Sequence, residues 1–256
     1  MLSSSPTVSI NSRSRKPFST NALISALSWL AVFGANPAPA KAGGDWNFDQ
    51  PEGLDALLYL RDMQEKGCLW APKFPTPYEY FGGRKTLFYM ASIQDVLLQA
   101  VYQQKIDSQD EWIFIPFPGS DGEAVIFSYG SSYALLRGQD SEKTGGAARQ
   151  MAAWLFVRWM SQAENQVRLG LVWGSLPVSE GTRAGLNAQK NVFPWNTLLG
   201  LESEVRPLPS EPNWRLVRRP LEDAFWHLFN LASADQVTQL LPALDQMAKE
   251  LIQNQK

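Results

Sequence analysis

The chain has 256 residues, enough for one large domain or two small ones and for a sizeable buried core. Its 45% hydrophobic and 19% charged residues are those of an ordinary globular protein, and a net charge of −2 argues against an electrostatic nucleic-acid footprint. A single Cys68 excludes an internal disulfide, and with only His227 beside it no His/Cys metal site or cofactor motif is expected.

Residues 1–19 read as a disordered tail, and the segment that follows fits two readings. Arg13, Arg15 and Lys16 precede an apolar run from Ala22 to Ala35, with Ala40-Lys41-Ala42 as a small-x-small cleavage site, the layout of an export signal. The same run fits an amphipathic helix capped by Thr20 or Asn21, with Leu23, Leu27, Leu30 and Ala31 as a buried stripe and Gly34 as its stop.

Asn47 to Gly53 is a turn into a helix, with Asp49 as the expected cap and Pro51 and Glu52 in the first turn. Leu54, Leu57, Leu58, Leu60 and Met63 keep helical spacing up to Gly67. Cys68 and His227 sit in apolar helical patterns that predict buried packing roles. Residues 71–80 form a proline-rich loop bearing Tyr78 and Tyr80. Strands are expected at Thr86–Met90, Trp112–Ile115, Val125–Tyr129 and Tyr133–Leu136, and a short helix at Asp95–Gln104. A helix from Gly146 to Met160 places Ala148, Met151, Ala152, Leu155, Phe156 and Trp159 on one face, expected to be buried. Ala163–Leu169 continues in helical register, Trp173 to Pro177 is a turn, and 187–213 is loop-rich. Two helices, 214–231 and 234–253, finish an α/β chain.

Two of these strands stop at small polar residues, Ala91-Ser92 and Gly130-Ser131-Ser132, the arrangement of a cleft wall. Gly82-Gly83-Arg84-Lys85-Thr86 lacks phosphate-loop spacing and leads away from a helix start. No G-x-S-x-G elbow is present, and the acids Glu79, Asp95, Asp110, Glu111, Glu222 and Asp223 are scattered. A binding role without chemistry fits best. A carbohydrate-active hydrolase using two of those carboxylates, or a small exported adaptor with a cleaved signal, are the alternatives. The aromatics Tyr78, Tyr80, Tyr129, Trp173 and Trp214 lie at element ends or in loops. Beside Ser92, Gln94, Ser131 and Ser132 they favour a polar, ring-shaped ligand, stacked on its faces and hydrogen-bonded at its edges.

Five segments carry a family resemblance. They are FDQPEGLDALLYLRDMQEKG, FGGRKTLFYMAS, IPFPGSDG, AARQMAAWLFVRWMSQAENQ and GSLPVSEG. In order and spacing the chain resembles the extracellular solute-binding proteins of sugar-type ABC importers, the maltose-binding-protein-like group. The resemblance implies an α/β, type II periplasmic-binding-protein-like fold, mostly second lobe with part of the first, the first lobe's N-terminal half missing. It turns residues 20–35 into an interior helix of the second lobe. By that likeness residues 20–115 belong to the second lobe, 116–165 to a first-lobe segment after the hinge, and 166–256 to the second lobe's C-terminal helices. It further implies a monomer that binds a small carbohydrate outside the cytoplasmic membrane and delivers it to permease subunits, without a cofactor. Site residues carried over by the resemblance are Ser92, Gln94, Tyr129, Gly130, Ser131, Ser132, Trp173 and Trp214.

Overall fold

A computed structural model describes residues 20–41, 43–69, 76–119, 122, 124–130, 133–135, 146–189, 195–231 and 233–254, with the side chains of 20–22, 196 and 234 excepted. Its helices are α1 (Thr20–Val32), α2 (Pro51–Glu65), α3 (Pro77–Gly82), α4 (Ile93–Lys105) and α5 (Gly146–Met160), then α6 (Ala163–Trp173), α7 (Glu180–Asn187), α8 (Trp195–Gly200), α9 (Trp214–Leu228) and α10 (Leu240–Gln253). Three short strands, β1 (Phe117–Pro118), β2 (Ala124–Ser128) and β3 (Val205–Pro207), form one sheet in the order β1-β2-β3. Strand β1 pairs antiparallel with β2, setting Phe117 opposite Val125, and β3 pairs parallel with β2, setting Ile126 opposite Val205.

Two compact units share the chain. The first holds residues up to Thr76, Ile113–Ser128 and Glu204 onward, and the second holds Pro77–Trp112 and Tyr129–Ser203. The chain passes between the units after Thr76, Trp112, Ser128 and Ser203.

The core of the first unit is built on α1. Leu23, Ala26, Leu27 and Leu30 are buried together with Leu57 and Leu60 of α2, Val217, Leu221 and Leu228 of α9, and Leu240, Leu241 and Leu244 of α10. The spacing of three and four residues puts one stripe of α1 on these neighbours, as an amphipathic helix requires. The apolar run at 22–35 is thus a core helix, although the caps expected at Thr20 and Asn21 involve side chains outside those described. Close approach of α2 is possible because Gly53 has no side chain. A Cβ there would lie 3.1 Å from Leu241 Cδ1 and 3.4 Å from Leu30 Cδ2.

Asp49 does not cap α2. Gln50 stands at that position without a side-chain cap, and its amide is engaged elsewhere. Gln50 Nε2 donates to the carbonyls of Asn36 (2.8 Å) and Asn47 (2.6 Å), while its Oε1 accepts from the Asn36 amide at 3.1 Å. The loop after α1 is therefore stitched to the start of α2. The buried amide of Phe48 donates to Asp245 Oδ1 of α10 at 2.5 Å, joining residues 197 positions apart.

Gly67 (φ +72) closes α2, but Cys68 after it is exposed rather than packed. The expected strands 86–90, 112–115 and 133–135 take no part in the sheet, and Leu136 lies outside the described residues. A strand needs a ladder partner as well as β-propensity, and Leu87, Phe88, Ile113, Ile115 and Leu135 are exposed instead. The bounds expected for α5 hold, yet its stripe faces outward. None of its residues is buried, and those turned partly inward are Gly146, Val157 and Met160.

Removing the Asp245 carboxylate leaves the buried Phe48 amide without its acceptor. Asp245→Ala is expected to cost about 2 kcal/mol in urea denaturation, and Asp245→Asn, which keeps an acceptor oxygen, less than half of that.

Candidate functional site

Residues of the second unit assemble the candidate site at the junction of two helix ends. Ser92 caps α4 through a capping box: its Oγ accepts from the Asp95 amide at 3.3 Å, and the Ser92 amide donates to Asp95 Oδ2 at 2.8 Å. The Ser92 hydroxyl also donates to Asp95 Oδ2 at 2.7 Å. Ser92 thus holds the first turn of α4, and exposed Gln94 projects from that turn.

The end of α6 abuts this turn. Gly174 caps α6 in the left-handed conformation (φ 65, ψ 48), its amide donating to the Gly170 carbonyl. A Cβ at Gly174 would lie 3.0 Å from Ile93 Cγ2 and 3.1 Å from the Gln94 nitrogen. Backbone meets backbone here, and Trp173, 63% exposed, immediately precedes the residue in contact with Gln94. The negative end of the α6 dipole faces the positive start of α4, a favourable pairing of macrodipoles.

Asp95, which completes the capping box with Ser92, was not among the residues expected at the site. Burial, then the Asp95 carboxylate and Tyr78, push the Tyr89 phenol well above its ordinary value, so it stays protonated. Ser-x-x-Asp before an apolar run is the capping-box signature, and it is legible in Ser92-Ile93-Gln94-Asp95.

Of the other predicted residues, Tyr129 and Gly130 follow β2 and are exposed, with nothing within 4 Å of a Cβ built on Gly130. Ser131 and Ser132 lie outside the described residues. Trp214 opens α9 in the first unit, where its ring stacks on Trp46 at 5.4 Å and Trp46 stacks on Phe48 at 5.7 Å. Trp214 is therefore half-buried with one face taken. The structure brings together Ser92, Gln94 and Trp173. A cavity of about 340 Å³ in the first unit, between α1 and the sheet, is lined by none of the predicted site residues.

Glu222 and Asp223 are consecutive on α9, not paired across a cleft as glycoside hydrolysis requires. Among the described residues no group of three or more His, Cys, Asp or Glu could hold a metal ion.

No known protein family and no curated protein matches the chain in sequence. Solved structures do match its fold. The sugar-binding protein MalE from Xanthomonas citri superposes with a TM-score of 0.65 at 20% identity, covering 92% of this chain and 59% of its own. A maltotriose-binding protein from Thermus thermophilus gives 0.64 at 16% identity, covering 91% of this chain and 60% of its own. Maltose-bound MalE3 from T. maritima gives 0.62 at 16%, covering 90% and 56%. The chain has the α/β fold of these binding proteins and spans less than two thirds of their length.

Gly174→Ala forces a Cβ into the Ile93–Gln94 backbone and adds a left-handed penalty of about 1 kcal/mol. A loss of at least 2 kcal/mol is expected in thermal or urea unfolding. Burial, then Asp223, holds Glu222 above its ordinary 4.5. Ionising Glu222 therefore opposes folding: its contribution is fully present below the unfolded value and is lost as pH rises through the folded one. Glu222→Gln is expected to flatten that fall in stability in melts taken from pH 4 upward.

Proposed function

We propose that this chain is a carbohydrate-binding portion of an ABC-importer substrate-binding protein, acting outside the cytoplasmic membrane and handing its ligand to permease subunits. It corresponds to most of the second lobe and part of the first. The observation that carries the reading is the seating of exposed Trp173 beside Gln94, fixed by Gly174, within a fold shared with sugar-binding proteins. An indole offers an apolar face to the C–H side of a sugar ring. The Gln94 amide offers both a donor and an acceptor to ring hydroxyls. Ser92 and Asp95 fix the turn that carries that amide, and Tyr129, Gly130, Ser131 and Ser132 contribute further contacts in the intact binding protein. No group in this set forms or breaks a covalent bond.

Binding by the chain alone is weak, because one surface of a ligand is left to solvent. Saturation-transfer NMR with maltose and maltotriose is expected to detect contact at millimolar concentration, lost in Trp173→Ala and reduced in Gln94→Ala. Absence of transfer at tens of millimolar would overturn the site. A micromolar affinity in titration calorimetry would overturn the incomplete-site reading.

A further inference from the structure

Helix α5, GAARQMAAWLFVRWM, has Arg149 and Arg158 as its only charges, and most of its other residues are apolar. Such a helix belongs in an interior. Here no residue of α5 is buried, and Met151, Trp154, Leu155, Phe156 and Trp159 are each at least 50% exposed. At 3.6 residues per turn, Ala148, Met151, Ala152, Leu155 and Trp159 form one continuous face. Val157 and Met160, the residues turned partly inward, lie on the opposite side. Half-exposed side chains of this size leave roughly 500 Å² of apolar surface, near the top of what an ordinary monomer shows.

We propose that this face of α5 seats an α/β polypeptide segment supplying the part of the fold that has no counterpart in these 256 residues. The proposal rests on reading the chain as a portion of a sugar-binding protein. Two-fifths of the Xanthomonas citri chain lies beyond the match, since the match covers 59% of it. A surface of roughly 500 Å² on each side gives about 1,000 Å² in all, the lower limit of a specific interface. The charges narrow the occupant further. With Arg149 and Arg158 and no acid on α5, the complementary surface is apolar at its centre and acidic at its rim.

The probes are the segments without counterpart here, taken from the Xanthomonas citri, T. maritima and Thermus thermophilus proteins and mixed with the full 256-residue chain. Light scattering is expected to give a 1:1 complex with at least one of them. Hydrogen exchange of the α5 amides should slow at least tenfold on mixing. Leu155→Glu, at an exposed position that leaves the circular dichroism unchanged, should weaken the complex at least tenfold, and Lys249→Ala should not. Three results would overturn the proposal: no probe binds, a complex indifferent to Leu155→Glu, or a homodimer that Leu155→Glu breaks and that already protects α5. A complex that takes up no sugar leaves the docking face standing and removes the functional reading. Sugar contact at Trp173 in a chain that accepts no probe does the reverse.

Discussion

The hydrogen bond from the Phe48 amide to Asp245 is the constraint on which the first unit is organised. It joins residues 197 positions apart with one buried contact from a backbone amide to a carboxylate, of the class that is shortest and strongest in proteins. Because Phe48 is fixed to α10, Trp46 stacks on it, and Trp214 stacks in turn on Trp46. The start of α9 is thereby tied to the segment before α2. Gln50 completes the knot by fastening Asn36, just after α1, to the same turn. Three stretches far apart in sequence thus meet at residues 46–50, and the buried stripe of α1 is held between α2, α9 and α10.

In the second unit the contact at the candidate site is set by shape. Its equivalent constraint is the absence of a side chain at Gly174, which lets the end of α6 touch the first turn of α4. That contact sets the angle at which Trp173 stands beside Gln94. Most of the polar groups there hold backbone. Ser92 and Asp95 satisfy each other and the first amides of the α4 turn, so both side chains are already fixed. Preorganisation of that kind lowers the entropic cost of binding. It also explains why a serine at a strand end reads as a ligand contact in sequence and serves as a helix cap in the fold.

What was legible in the sequence follows the range of the forces involved. Helix bounds were readable where the periodic pattern and its stops are local, as at Gly146–Met160 and at Pro51 to Gly67. The stripe of α1 was legible as one of two readings, and packing selected between them. Strands 86–90 and 112–115 were misread because β-propensity in Leu87, Phe88, Ile113 and Ile115 says nothing about a partner, and ladders are non-local. The Met151–Trp159 stripe was identified correctly as one face of a helix, but periodicity gives no sign for whether that face meets core or solvent. Gln94 and Trp173 were both expected at the site, but the contact that brings their backbones together was not legible. They lie 79 positions apart in sequence, and the left-handed backbone at Gly174 brings the two segments together.

The energetics of so small a site show why the proposed binding needs a second surface. A stacked ring contributes about 1 kcal/mol beyond its buried area, and each neutral hydrogen bond a net 0.5–1.5 kcal/mol. Trp173 with one amide therefore reaches roughly the −4 kcal/mol of millimolar binding at best. Micromolar capture needs about twice that, and association has its own translational and rotational cost to offset. A second surface doubles the stacking and hydrogen bonding without repeating that cost, because the ligand has already been immobilised on the first. On the proposed reading, the exposed indole at Trp173 awaits a ligand and the outward apolar stripe of α5 awaits the remainder of the fold.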